Sequence, residues 1–171
     1  SRGIWPSCAF RKSGSPIQSS SSRLTPGVLE MVASHCSPVA RSCFEEARER
    51  STAEVKIGVS LKYLNDLAEK LVLGYDAKPS FKCYKPAGAK KSYPASLCIS
   101  LNYEVVHGLP DERVLKEGDI VSLDLGVLYN GYHTDSAVTL GVGDISDQAR
   151  KLILVTQGAL DLAVSMIKPG V

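Results

Sequence analysis

One dipeptide, Asn130-Gly131, constrains this chain more than any other feature. It separates two apolar-rich runs, "GDIVSLDLGVLY" at 118–129 and "YHTDSAVTLGV" at 132–142. A two-residue hairpin loop of type I′ needs positive φ at both central positions, which Asn-Gly adopts readily, so the two runs are predicted to pair as antiparallel strands. With that loop, Tyr129 faces Tyr132, Gly126 faces Asp135 and Asp124 faces Ala137. Facing residues share a side of the sheet, as do residues two apart on one strand, so Asp124 and Asp135 project from one face as diagonal neighbours. A slip of one residue would send them to opposite faces; the turn guards the register.

Diagonal neighbours lie roughly 7 Å apart by backbone, close enough for their carboxyl groups to converge. Like charges there repel, and a divalent cation removes the repulsion. Two cations about 3.5–4 Å apart could share such carboxylates. The alternative is a solvated face of an edge hairpin on which Asp is merely tolerated. His133 shares the face of Asp135 by parity but sits nearer the turn, and is expected to be a surface histidine.

The rest of the chain reads as helices, then strands, then a helix. Residues 1–24 hold eight serines and four basic residues and no acid, a composition that cannot bury a core, so they are expected to form an unstructured tail. "TPGVLEMVASHC" and "SPVARSCFEEARER" predict two helices in series, divided at Pro38. "SLKYLNDLAEKLVLG" places Leu61, Leu64, Leu67, Ala68, Leu71 and Val72 at helical spacing, with Ser60 as N-cap and Gly74 as the stop. A Lys-, Pro- and Gly-rich loop follows over 75–95, then short strands at "SLCISL" and "EVVHGL". A last helix is expected from about Ser146 to Lys168, with Leu152, Val155, Ala159, Leu162, Ala163 and Met166 along one side and Pro169-Gly170 ending it. That order predicts an α/β (α+β) domain with helices packed on one face of an antiparallel sheet.

Composition narrows the function. A chain of 171 residues, 44% hydrophobic, supports one globular domain and holds no apolar run long enough to span a membrane. Its net charge of +2 is spread along the chain, which gives no specific nucleic-acid footprint. Five cysteines without a C-x-x-C pair (Cys8, Cys36, Cys43, Cys83 and Cys98) point to a reducing compartment, with each cysteine acting as a small hydrophobe.

Three blocks, "ASLCISLNYEVVHGLP", "LKEGDIVSLDLGVLYNGYHTDSAVT" and "LAVSMIKPG", resemble the corresponding blocks of type I methionine aminopeptidases. "TPGVLEMV", "IGVSLKYLNDLAEKLV" and "AKPSFKCY" are similar to that family's N-terminal part, so the likeness covers 25–171. The resemblance implies the pita-bread fold, here its first half, and a centre of two divalent metal ions (Co, Mn, Fe or Zn) in the complete enzyme. By position, Asp124 and Asp135 resemble two metal ligands, and His107 resembles the catalytic imidazole that contacts the substrate. Tyr84, Tyr93 and Cys98 fall near the positions that line the methionine pocket. The implied substrate is the N-terminal Met of peptides and nascent proteins, with the ribosome as a further partner. The implied compartment is the cytoplasm, or an organelle if 1–24 is part of a transit peptide.

Two departures from the family stand out. "KPAGAKK" is longer than the family's connection, and Cys83 occupies a position where Gly is usual. More importantly, the family completes its site with one His and two Glu from a second half, whereas here no His or Glu follows Asp135. The chain is therefore expected to be a partial one, with weak metal binding and no useful turnover alone. The competing readings are a proline-specific relative, a non-catalytic pita-bread binding module and a truncated inactive product.

Overall fold

The computed structural model describes residues 38–168. The tail expected over 1–24, the helix expected over 25–36, Cys8, Cys36 and the Pro169-Gly170 stop lie outside the described residues.

Helix α1 spans Pro38–Ala53. Proline is tolerated at its start because a first-turn amide has no intrahelical partner. Ala40, Cys43, Phe44, Ala47 and Ser51 are buried, a stripe at spacings of one helical turn. Helix α2 spans Leu61–Gly74 and is capped as expected: Ser60 is the N-cap, and its hydroxyl accepts from the amide of Tyr63 at 3.1 Å. Leu61, Leu64, Ala68 and Val72 are buried, while Leu67 and Leu71 at the margin of the stripe are half-buried.

The sheet has four strands, β1 (Lys78–Pro79), β2 (Leu97–Leu101), β3 (Ile120–Tyr129) and β4 (Tyr132–Gly141). Strand β3 is the centre. One edge pairs antiparallel with β4 along its whole length; the other pairs with β2 over Val121 to Leu125 and with β1 at Val127 and Leu128. Asn130 and Gly131 have φ of 50° and 86°, the positive values a type I′ turn demands, and the register is Tyr129 with Tyr132, Gly126 with Asp135 and Asp124 with Ala137. The hairpin expectation holds residue for residue.

Alternation along β3 divides the sheet into two faces. Val121, Leu123, Leu125 and Val127, with Leu97 and Ile99 of β2, pack into one core with Cys43, Phe44 and Ala47 of α1 and Leu61, Leu64, Ala68 and Val72 of α2. Asp124, Gly126 and their cross-strand partners therefore occupy the opposite face, free of helices α1 and α2. Helix α2 also fixes the start of β2, because Asn65 Oδ1 accepts from the amides of Ser96 at 2.9 Å and Leu97 at 3.2 Å inside the core.

Two expectations need correction. "EVVHGL" forms no strand: β2 ends at Leu101, and Val105 and Val106 are 86% and 64% exposed. His107 takes φ of 59°, which breaks extended pairing, and the amide of Ile99 bonds back to the carbonyl of Gly108 at 3.0 Å, closing a loop instead. The last helix, α3, spans Asp147–Ser165 with Ser146 as its N-cap, ending short of Lys168. None of its residues is buried, and its expected inner side, Leu152, Val155, Ala159, Leu162, Ala163 and Met166, is exposed. Apolar spacing identifies the side of a helix suited to burial; among the described residues no element covers that side.

Candidate metal centre

Strands β3 and β4 hold Asp124 and Asp135 rigidly, since ten ladder pairs fix both backbones. The two carboxyls come within hydrogen-bonding reach of one another. Asp124 is half-buried and Asp135 exposed. Burial, then the charge of Asp135 and the hydrogen bond to it, push Asp124 up to about 6, with the nearby His107 opposing the rise. A half-buried Asp124 carboxylate with a second carboxylate beside it is a donor set suited to a hard or borderline divalent cation, whose charge would offset their repulsion.

Cys98 stands opposite Asp124 in the β2–β3 ladder and so shares its face. Its thiol is raised chiefly by burial, with the charges of Asp124 and Asp135 adding to the rise and the Tyr93 hydrogen bond opposing it. Tyr93 reaches the same place from the loop before β2. Its hydroxyl donates to the carbonyl of Gly108 at 2.8 Å and lies against the Cys98 thiol, and burial raises it far above the usual phenol range.

His107 sits on the exposed loop after β2 in the left-handed region, with φ of 59°. A Cβ on Gly108 would lie 2.2 Å from the carbonyl oxygen of Ile99, so only glycine lets this loop lie flat on β2. At the base of the loop, Arg113 donates to Glu104 at 2.7 Å and to Asp111 at 2.9 Å, and Glu104 also accepts from the amide of Leu101 at 2.9 Å. The Arg113 hydrogen bond holds the Glu104 carboxyl below its usual range.

The structure thus gathers Asp124, Asp135, Cys98, Tyr93 and His107 at one place. Tyr84 stays at the rim, 48% exposed, and the amide of Tyr93 donates to its carbonyl at 2.8 Å. Cys83 has φ of 69°, a left-handed conformation that explains why glycine suits this position. His133 is exposed, and its Nδ1 lies 2.9 Å from the Ser80 hydroxyl. The Arg113 clamp and the Asn65 anchor were missed in the sequence. Both join residues whose pairing leaves no periodic or motif signal. Among the described residues no group of three or more His, Cys, Asp or Glu is placed to hold a metal ion.

The profile of metallopeptidase family M24 matches residues 35–171. The chain belongs to this family. The M24 chain is 44% identical over 122 residues to methionine aminopeptidase 1 of Bacillus subtilis, covering 71% of this chain and 47% of that protein. It is 50% identical over 117 residues to the methionine aminopeptidase of Aquifex aeolicus, covering 68% and 45%. The solved methionine aminopeptidase of Thermotoga maritima superposes with a TM-score of 0.72 at 34% identity, covering 86% of this chain and 55% of that one. The fold is the pita-bread architecture, and the chain spans about half the length of the curated relatives it matches.

Proposed function

We propose that this chain carries the first half of a metal-dependent aminopeptidase that removes the N-terminal methionine from peptides and nascent proteins. The observation that carries the reading is the Asp124–Asp135 pair on one sheet face with Cys98, Tyr93 and His107 gathered round it. In this reading Asp124 and Asp135 are metal ligands for two divalent ions (Co, Mn, Fe or Zn), which supply Lewis acidity toward a peptide carbonyl when bound.

The protein's own groups then divide the remaining work. Tyr93 and Cys98, with Tyr84 at the rim, form an apolar and sulfur-lined seat suited to a thioether. His107, exposed on the loop after β2, would donate to the carbonyl oxygen of the scissile amide as charge develops there. The Arg113 clamp keeps that loop on β2. The expected compartment is the cytoplasm or, if 1–24 is part of a transit peptide, an organelle; the ribosome is a further proposed partner. Among the described residues no helix is long and apolar enough to cross a membrane.

No His or Glu follows Asp135 in the sequence, so this chain itself offers an incomplete ligand set and weak metal binding. The alternative, a pita-bread module that binds peptides without cleaving them, is disfavoured by the presence of Asp124, Asp135 and His107 together. Titrating a short Met-initiated peptide into the isotope-labelled chain tests the first step both readings share. Amide shifts should concentrate at Tyr93, Cys98 and His107 and be absent with an Ala-initiated peptide. Equal response to both peptides would sink the methionine seat. Methionine release by the purified chain with added Mn or Co would refute the incompleteness of the site.

A further inference from the structure

The loop between Tyr84 and Tyr93 is the longer connection noted in the sequence, and its charge is one-sided. Residues 77–103 contain Lys78, Lys82, Lys85, Lys90 and Lys91 and no acid. Lys82 is matched by Glu69 at 2.5 Å, on the α2 side. Lys85, Lys90 and Lys91 are exposed, and no ion pair among the described residues includes them. Three cations left unmatched in one short loop raise the local potential and attract negative groups.

The loop is also built to hold its position. Its stems are bound by two backbone hydrogen bonds, from Cys83 to Tyr93 at 2.9 Å and from Tyr93 to Tyr84 at 2.8 Å, and its tip by a turn in which Ala89 donates to Pro86 at 3.1 Å. The Tyr93 stem reaches the site itself, through its hydroxyl bond to Gly108 and its contact with Cys98. Residues 85–92 doubling back project at most about 14 Å, the length of roughly four extended residues. A peptide seated by its first side chain against Tyr93 and Cys98 would have its following residues within reach of this loop, because the Tyr93 stem joins the two.

We propose that Lys85, Lys90 and Lys91 form a specificity rim that selects peptides carrying Asp or Glu within the residues that follow the seated N-terminus. The inference rests on the aminopeptidase reading for the position of that N-terminus. An acidic peptide fits better than RNA, because a stretch of three lysines beside a site bearing two carboxylates offers too few phosphate contacts for a nucleic-acid groove.

The test uses the full 171-residue chain and dye-labelled peptides that begin Met-Ala and continue with acidic, neutral or basic residues, with a matching set beginning Gly-Ala. Anisotropy at low salt should show the acidic Met peptide bound about five- to tenfold tighter than the neutral one, the sum of three exposed ion pairs. The advantage should disappear in the triple variant Lys85→Ala, Lys90→Ala, Lys91→Ala and shrink at high salt. A preference for Met over Gly with a flat charge series overturns the rim and leaves the aminopeptidase reading intact. An acidic preference without any preference for Met supports recognition of acids by the rim and overturns that reading instead. The rim also fails if the triple variant keeps the acidic preference, if a mixed-sequence RNA hexamer binds more tightly than the acidic peptide, or if the acidic peptide does not bind.

Discussion

Asp135 stands opposite Gly126 across the β3–β4 ladder, and Asp124 lies two residues along from that glycine on the same face. The space above Gly126 is taken by Phe81 and Ser80, where an added Cβ would meet the Phe81 ring at 2.8 Å, and the two carboxyls interact beside it. The arrangement is unfavourable without a cation. In the metal-free chain, Asp124→Asn should therefore raise the melting temperature, by about 2–4 °C for each 1 kcal/mol of relieved repulsion. Calorimetric titration with Mn should show weak binding by the parent chain, about millimolar, and none by Asp124→Asn or Asp135→Asn. Tight uptake of two ions by the parent chain would contradict this picture of the site.

Gly108 is the pivot of the His107 loop. Gly108→Ala forces a methyl group into the backbone of Ile99, and no side-chain movement relieves a contact of 2.2 Å with a carbonyl oxygen. The expected loss is about 1–3 kcal/mol by urea unfolding, together with shifted amide resonances at His107. Full retention of both stability and spectrum would show that the loop lies elsewhere.

Asn65 joins α2 to β2 by accepting from two buried amides at once. Asn65→Ala leaves both without that acceptor and should cost about 2 kcal/mol. Asn65→Asp keeps the acceptor and should recover part of the loss above the carboxylate range. Chemical denaturation of the two variants at neutral pH compares them directly.

Tyr75 donates to Glu46 at 2.5 Å, and that hydrogen bond raises the phenol to about 12. A raised acid holds its proton more tightly folded than unfolded. Its stabilising contribution is complete below the ordinary phenol range near 10 and is lost as pH rises toward 12. Thermal melts of the parent should fall through that window more steeply than those of Tyr75→Phe, which also removes one late step from the absorbance titration at high pH. Parallel curves would mean that the Glu46 bond is absent in solution.

Helix α3 and the Met166 that caps it present Leu152, Val155, Leu162 and Met166 at 58–66% exposure. Sedimentation should show concentration-dependent association of the chain, reduced in the double variant Leu152→Lys, Leu162→Lys. A strictly monomeric chain at high concentration would mean that this side is covered.

Much of the site was legible in one strand pair. The Asn130-Gly131 turn and the two-residue period of β3 and β4 put Asp124 and Asp135 on one face, and Ser60 marked the start of α2; each follows from rules acting over a few neighbouring residues. The same local reasoning misread "EVVHGL", where β-prone composition lost to the left-handed turn at His107 and to the close approach of Gly108 to Ile99. It also located the apolar side of α3 without knowing whether anything packs there. Only the tertiary structure set the Tyr93 hydroxyl on the carbonyl of Gly108, tied Asn65 to Ser96 and clamped the His107 loop through Arg113. These contacts join residues whose encounter depends on how whole elements pack, and packing energy between distant segments leaves no periodicity to read. Backbone geometry and alternation wrote the acidic pair into the sequence; the assembly of the fold decided what surrounds it.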